Sequence, residues 1–214
     1  ETAVGAKIPI VFFNRKPVDD DLNRADNIYY VGAGPKAAGI EQAKIIINAY
    51  NENPHSIDID GDGVINYVLL EGEPSHQDSL LRTEWVIKTL QENNIPINKL
   101  NGAIGNWERA QGSALMEDFL NKYSNIDLVI SNNDDMGLGA IDAIERANNI
   151  TGIKVVGIDG TKEALEAINE GKLLGTIESD KKETLEKKEF YEYQLEEIEK
   201  LKLKDGEDEI LEAE

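Results

Sequence analysis

The chain contains no cysteine, which excludes disulfide bonds, thiolate catalysis and cysteine-based metal sites together. It also has no apolar run near the ~20 residues that a membrane-spanning helix requires. Positive charge is scarce, because 22 Lys and Arg stand against 42 Asp and Glu, and the formal net charge is -20. A chain with this balance is a poor partner for nucleic acids and for anionic membranes.

Short apolar segments alternate with helical segments along most of the 214 residues. This alternation predicts βαβ units and an α/β fold, with a parallel sheet flanked by helices. The first strand, IPIVFF, is expected to be buried on both faces of such a sheet. Strands are expected at 8–13, 28–31, 64–70, 100–104, 126–131, 153–158 and 173–177.

The segment DIDGDGVIN matches the first nine positions of an EF-hand calcium loop. The carboxylates are those of Asp58, Asp60 and Asp62, and Gly63 allows the sharp turn. Val64 offers its backbone carbonyl and Asn66 its side-chain amide. The twelfth position holds Leu69 instead of the closing Glu, so a last carboxylate has to come from elsewhere in the chain. The alternative interpretation is a solvated acidic turn between two elements.

A polar segment, EPSHQDSLLR, follows the predicted strand at 64–70. His76, Asp78 and Arg82 form a group of donors and acceptors suited to a polyhydroxylated ligand. The spacing of Asp78 and Arg82 puts both side chains on one face of a helix. The alternative interpretation is an N-cap aspartate with a surface ion pair.

Polar side chains follow nearly every predicted strand, at the edge where parallel sheets bind ligands. They are Asn14, Glu73 to Asp78, Trp107, Asn132 to Asp135, Asp159 and Glu178 to Asp180. Amides and carboxylates bind hydroxyls in pairs, and an indole covers the apolar face of a pyranose, so the set indicates a sugar site. Each residue also fits a helix N-cap, above all Asp134, Asp159 and Asp180.

Eight segments in order carry a family resemblance: FFNRKP, YYVGAGPKAAGI, DIDGDG, VLLEGEPSHQDSLLR, NWERAQ, LVISNNDDMGLGAIDAI, VVGIDGTKEALEAI and GKLLGTIESD. Together they resemble the bacterial periplasmic galactose/glucose-binding proteins over residues 8–180. The resemblance implies two α/β lobes that close on a monosaccharide, of the periplasmic-binding-protein type 1 fold. It also implies a structural Ca²⁺ ion.

The resemblance assigns roles to individual residues. The expected sugar ligands are Asn14, His76, Asp78, Arg82, Trp107, Asn133 and Asp159, with Trp107 stacking on the ring. The expected calcium ligands are Asp58, Asp60, Asp62, the Val64 carbonyl, Asn66 and the closing carboxylate of Asp127. Two positions depart from the family, which has the longer Glu where Asp127 stands and a sugar-binding Asn where Ser179 stands.

The same resemblance implies partners and a location. The protein would be a monomer that delivers D-galactose or D-glucose to the permease of an ABC transporter and, in some bacteria, to a chemoreceptor. It would be extracytoplasmic, as a periplasmic protein or as a lipoprotein in a Gram-positive cell. No signal peptide is visible, and the chain opens with Glu1 instead of Met, so an upstream segment is expected.

Compared with the family, most of the first lobe and the strands after the last hinge are expected to be missing. We expect a remnant of the N-terminal lobe at 1–31, a sugar-binding lobe with the calcium loop at 32–180, and a charged helical tail at 181–214. The tail segment QLEEIEKLKLKDGEDEILEAE resembles a coiled coil of RecN-type DNA-repair ATPases. The alternative for the tail is a charged, solvated helix.

Other function classes fit less well. A cytoplasmic sugar-responsive regulator would carry a basic DNA-binding segment, which this sequence does not show, and the calcium loop favours transport. An enzyme could use His76 and Asp78 as an acid and base, but no nucleophile motif or phosphate-binding loop follows a strand. A truncated or fused chain without function is the remaining alternative.

Overall fold

The structure is a computed structural model that describes residues 2–6, 8–32, 34–147 and 152–178. The chain divides between residues 32 and 33 into two compact units. The helical tail predicted over 181–214, with its RecN resemblance, lies outside the described residues. Of the helices described, none combines the length and the apolarity needed to cross a bilayer.

The first unit contains two parallel strands that pair in register along their whole length. Its elements in chain order are α1 (Thr2–Gly5), β1 (Ile10–Phe13), α2 (Asp19–Leu22) and β2 (Ile28–Val31). The prediction that the first strand is buried on both faces is wrong, because Val11 and Phe13 are 44% and 78% exposed. Within this unit, helices of one turn each are too short to cover a sheet on both faces.

The second unit is a four-stranded sheet with strand order β4-β3-β5-β6, in which all neighbours run parallel. Its strands are β3 (Ile65–Glu71), β4 (Ile97–Ile104), β5 (Leu128–Ser131) and β6 (Lys154–Val156). Its helices are α3 (Pro35–Glu52), α4 (Gln77–Glu92), α5 (Arg109–Lys122), α6 (Asp134–Arg146) and α7 (Lys162–Asn169). The predicted α/β class, with a parallel sheet flanked by helices, is therefore confirmed.

Two hydrophobic clusters lie on opposite faces of this sheet, and the alternation of side chains along β3 separates them. Val68 and Leu70 belong to the cluster that includes Met116 of α5 and Met136 of α6. Tyr67 and Leu69 belong to the other cluster, with residues of α3 and α4. Because β3 is buried on both faces, it is the central strand around which the helices pack.

Five of the six strands begin or end one to three residues from their predicted limits, and the seventh predicted strand does not form. Strand β4 begins at Ile97, three positions before the predicted start. The strand predicted at 173–177 is reduced to one bridge, between Val156 and Gly175. Backbone hydrogen bonds still join this segment to β6 and to the residue that follows it. Leu174 N donates to Val155 O, and Gly157 N donates to Gly175 O.

Helices α5 and α6 approach so closely that glycine is required at their contact. A Cβ on Gly139 would overlap the Arg109 carbonyl oxygen, and a Cβ on Gly112 would overlap the backbone of Met136. Gly137 lies on the same helix as Gly139, but a Cβ added there would be 3.5 Å from its nearest neighbours, Ser131 and Val155. The two glycines of α6 therefore face different surroundings, one a helix backbone and one the sheet.

We expect Gly139→Ala to lower the free energy of unfolding by about 2 kcal/mol, because the helices must separate to admit the methyl group. Gly137→Ala serves as the matched control and is expected to change stability by less than about 1 kcal/mol, on the stabilising side, because alanine favours a helix. Urea denaturation of both variants measures the difference. Equal midpoints for the two variants would contradict the close helix contact.

Candidate functional site

The carboxyl ends of the four strands of the second unit meet at one edge of the sheet, because all four run parallel. The loops that follow β3, β4, β5 and β6, together with the first two turns of helix α4, carry six of the predicted ligand residues. We call this group the rim: His76, Asp78, Arg82, Trp107, Asn133 and Asp159. The structure brings the six together through hydrogen bonds, ion pairs and ring contacts.

His76 is the N-cap of helix α4 and is buried. Its Nδ1 accepts a hydrogen bond of 3.2 Å from the backbone N–H of Asp78. A ring nitrogen that accepts a hydrogen bond carries no proton, so the neutral ring carries its proton on Nε2. His76 therefore offers a donor to a ligand at the rim.

Arg82 is buried and joins three parts of the rim. Its Nη1 donates to the Asn132 carbonyl at 2.8 Å and to Asp159 Oδ1 at 3.3 Å. Its Nη2 lies 3.6 Å from Asp78 Oδ2, one helical turn away. Among the described residues its buried Nε has no hydrogen-bond acceptor.

Trp107 is held from several sides. Its ring meets the His76 ring edge-on, with centroids 5.4 Å apart, and the Arg82 guanidinium carbon lies 5.7 Å from its centroid. The indole packs directly on Gly72, where a Cβ would overlap it. Its backbone has a φ of 71°, a left-handed conformation that L residues rarely adopt, and Asn133 Nδ2 donates to its carbonyl at 3.0 Å. The indole is thus fixed beside the polar rim residues.

Asn133 and Asp159 could each be a helix N-cap by sequence, and the structure shows that only Asn133 is one. Asn133 is the N-cap of α6, and its Oδ1 accepts from Met136 N at 3.1 Å. Asp159 is not a cap, because Thr161 holds that position for α7. Asp134, another proposed cap, is the first residue of α6 and is completely buried. A role of the Asn133 amide in ligand binding therefore stays a prediction.

Asp159 has the most perturbed carboxyl group of the rim. Burial raises its pKa to about 6, the adjacent Arg82 charge opposes this, and the charges of Asp134 and Asp135 raise it further. Its backbone φ is 129°, again in the left-handed region. Perturbed carboxyl groups and strained backbones both concentrate at functional sites.

Two buried amides that support the rim were missed as individual residues by sequence reasoning. Asn132 Oδ1 accepts from Gly72 N at 3.1 Å and from Ser79 Oγ at 3.0 Å, so it ties the loop after β3 to the end of β5. Gln42, on helix α3, donates from its Nε2 to Ser131 O at 2.7 Å. The signal for Gln42 was a polar side chain among the apolar positions of α3.

The opposite edge of the sheet carries the predicted cation loop. Carboxylate oxygens of Asp58, Asp60 and Asp127 all lie within 4.8 Å of one another. Asp58 accepts hydrogen bonds from the N–H groups of Gly61 and Gly63, at 2.9 and 3.0 Å, and both glycines have positive φ angles as the tight loop requires. Three of the six predicted ligands therefore converge.

Asp127 is the member of this acidic group that directly precedes a neighbouring strand, β5. It is 1% exposed and accepts from Ile59 N at 3.0 Å and Asn66 N at 2.8 Å. Burial raises its pKa, these backbone N–H groups lower it, and the charge of Asp60 raises it. Carboxylate oxygens are the type of donor that Ca²⁺ prefers.

Asn66 is turned away from a ligand role. Its Nδ2 faces Asp62 Oδ2 and the Val64 carbonyl, each at 3.4 Å, while its Oδ1 accepts from Asn98 Nδ2 at 2.9 Å. The three remaining predicted ligands, Asp62, Val64 and Asn66, thus contact one another. The Asn66 amide has to turn over before its oxygen can bind a cation.

One predicted ligand falls outside this unit, and one position that departs from the family falls outside the described residues. Asn14 belongs to the first unit, where it follows β1 with a φ of 64°. Its role in the site stays a prediction. Ser179, which departs from the family pattern, lies outside the described residues.

Comparison with known proteins agrees with this architecture. The chain is 37% identical over 175 residues to the D-galactose/methyl-galactoside binding periplasmic protein MglB of Haemophilus influenzae, covering 81% of this chain and 52% of that one. A solute-binding protein of an ABC transporter from Bacillus halodurans, solved with myo-inositol, superimposes with a TM-score of 0.67 at 32% identity, covering 80% of this chain and 54% of that one. One from Actinobacillus succinogenes, solved with D-allose, gives 0.73 at 26%, covering 92% and 66%.

The chain spans about half the length of the curated relative. All three relatives are named as binding proteins, in agreement with the prediction that the chain is not an enzyme. The family model described as Periplasmic binding protein domain matches residues 1–185. With this match over most of its length, the chain belongs to the periplasmic binding protein domain family.

Proposed function

We propose that the rim binds a monosaccharide, D-galactose or D-glucose, as part of the solute-binding component of an ABC transporter. The observation that carries the proposal is the buried Arg82 guanidinium, held between Asp78 and Asp159 beside the Trp107 ring. Charged groups with fixed geometry bind vicinal hydroxyls in pairs, and the indole covers the C–H face of the sugar. The relative named as a D-galactose/methyl-galactoside binding protein supports the choice of sugar.

The rim divides the recognition of hydroxyls by chemistry. Asp78 and Asp159, when ionised, only accept hydrogen bonds, while Arg82 only donates. His76 donates through Nε2, because its Nδ1 is occupied by the Asp78 N–H. A sugar hydroxyl both donates and accepts, so one that lies between a carboxylate and the guanidinium is bound in both capacities.

The proposal extends to the setting of the protein. Delivery of the sugar to a transporter permease, a chemoreceptor partner, a monomeric state and an extracytoplasmic location all come from the family resemblance.

We expect D-galactose to raise the melting temperature of the chain. A concentration of one hundred times the dissociation constant adds ~2.7 kcal/mol, or about 5–10 °C for a chain of this size. L-galactose, which has the same composition and opposite handedness, is the control for nonspecific solute effects. Trp107→Ala is expected to abolish the shift. An equal shift with both enantiomers would sink the proposal, as would a full shift in the variant.

We expect Asp159→Asn to gain stability over the wild type as pH rises, while losing the galactose response. The pKa of Asp159 is raised to about 6 by burial. Its stabilising contribution is therefore present below the ordinary aspartate pKa and is lost as pH rises through about 6. The neutral amide escapes this loss, which is on the order of 1 kcal/mol after discounting for a side chain that is 35% exposed.

Melting temperatures of both proteins at pH 4.5 and 7.5 measure this effect. The difference between variant and wild type should increase by about 3 °C between the two pH values. Parallel pH profiles for the two proteins would show that Asp159 titrates normally. Asp118→Asn, at an exposed position on α5, controls for the general loss of one negative charge.

The same proposal includes a structural Ca²⁺ ion at the loop. Asp58, Asp60 and Asp127 would hold it first, and Asp62, the Val64 carbonyl and Asn66 would complete the shell once the Asn66 amide turns over. The convergence of three carboxylates supports this assignment, because they repel one another without a cation. The ion would stabilise the loop and take no part in chemistry.

We expect Ca²⁺ to raise the melting temperature relative to EDTA, by the equivalent of ~2.7 kcal/mol at one hundred times its dissociation constant. Asp60→Asn should remove most of this gain, because it takes a charge from the converging oxygens. Asp118→Asn is again the matched control and should keep the gain. If Asp60→Asn responds to Ca²⁺ as fully as the control, the ion binds elsewhere.

A further inference from the structure

The backbone at Asp159 is held in a conformation that needs support. Its φ of 129° lies in a region that L residues rarely adopt, and Gly160 follows with a φ of 67°. Such conformations persist only where the surroundings fix them. The supporting contacts therefore decide where the Asp159 carboxylate lies relative to Arg82.

Three successive N–H groups of this loop bond to partners outside it. Asp159 N donates to Ile177 O at 2.8 Å, Gly160 N donates to Thr176 Oγ1 at 3.1 Å, and Thr161 N donates to Asp134 Oδ2 at 2.8 Å. Two of the three acceptors are side-chain oxygens. The loop is thus held by hydrogen bonds to the side chains of Thr176 and Asp134 as well as by a backbone hydrogen bond.

These two side chains also bond to each other. The Thr176 hydroxyl donates to Asp134 Oδ1 at 2.6 Å, so it accepts from Gly160 and donates to Asp134 at once. Asp134 is completely buried, and a Cβ on Gly157 would overlap its Oδ1, so the end of β6 closes over it. Both carboxylate oxygens are used, and neither contacts the rim ligands directly.

We propose that Asp134 and Thr176 are positioning residues that hold Asp159 in its left-handed backbone and so place its carboxylate against Arg82. The inference rests on the proposed sugar-binding function for its biological meaning, but its geometry stands without a ligand. Loss of the Thr176 hydroxyl would free the Gly160 N–H and leave one Asp134 oxygen without its donor. The loop would then relax toward a common backbone conformation, with the Asp159 side chain moving into solvent.

The pKa of Asp159 reports its position. Among the described residues, the charges that most affect it are those of Arg82 from α4 and of Asp134 and Asp135 from the start of α6. Glu178 also lies close, because a Cβ on Gly160 would overlap its side chain. Burial is the main reason why its pKa is raised to about 6, so a carboxylate that moves into solvent should titrate closer to the ordinary aspartate value of about 4. A variant that merely destabilises the fold leaves this pKa unchanged.

The test follows the carboxyl carbon of Asp159 by NMR during a pH titration without sugar, with Asp159→Asn identifying the signal. Thr176→Val, which removes only the hydroxyl, should lower the titration midpoint by about half a pH unit or more, and Thr176→Ser should restore it. Asp134→Asn should lower the midpoint too, because it also removes a facing negative charge. Thr89→Val, at a buried threonine of α4, controls for lost stability and should leave the midpoint unchanged.

An unchanged midpoint in Thr176→Val overturns the inference, as does an equal fall in Thr176→Ser. If Asp134→Asn fails to fold, the pair of Thr176 variants still decides. Galactose titration gives the second arm: Thr176→Val should weaken binding about tenfold or more, with Thr176→Ser within about threefold of the wild type. A wild type that binds no galactose would defeat the proposed function alone, because the NMR titration uses no sugar.

Discussion

A buried guanidinium is stable only where acceptors and opposite charges surround it. The second unit has to meet this requirement around Arg82. Its partners come from three directions: Asp78 from the same helix, the Asn132 carbonyl from the end of β5, and Asp159 from the loop after β6. Each partner has to be fixed in turn, and Asp159 is fixed only in a left-handed backbone. These partners hold the guanidinium in one orientation, and for a ligand that contacts it this would lower the entropy that binding must offset.

The carboxylates at the two edges of the sheet have different kinds of partner. At the rim, Asp78 and Asp159 lie against a buried cation supplied by the protein itself. In the loop, Asp58 and Asp127 accept from backbone N–H groups, which orient a carboxylate but carry no full charge to neutralise it. The first arrangement suits a neutral polyhydroxylated ligand. The second leaves negative charge unbalanced and therefore suits a bound cation.

Sequence reasoning predicted what depends on periodicity and strand ends, and it missed what depends on tertiary contacts. The alternation of strands and helices indicated the α/β class, and the residues after the strands included five of the six rim residues. The sixth, Arg82, was predicted from its spacing to Asp78 on one helix face. The exposure of Phe13 was not predictable, because an apolar strand looks the same whether or not a second layer covers it. The orientation of Asn66 and the support of Asp159 by Thr176 also escaped, since both depend on partners far apart in sequence.

Strands β3 and β5 connect the two edges, and their geometry indicates how cation and sugar would affect each other. Asp127 directly precedes β5 and Asn132 directly follows it, so the loop and the rim lie about 16 Å apart along one strand. Asp127 accepts from Asn66 N next to the start of β3, while Asn132 accepts from Gly72 N just beyond its end. Both contacts hold the same register between the same two strands. If cation and sugar both bind to this one register, neither shifts the other's equilibrium, so we expect a cation in the loop to stabilise the folded unit and to leave the intrinsic affinity of the rim nearly unchanged.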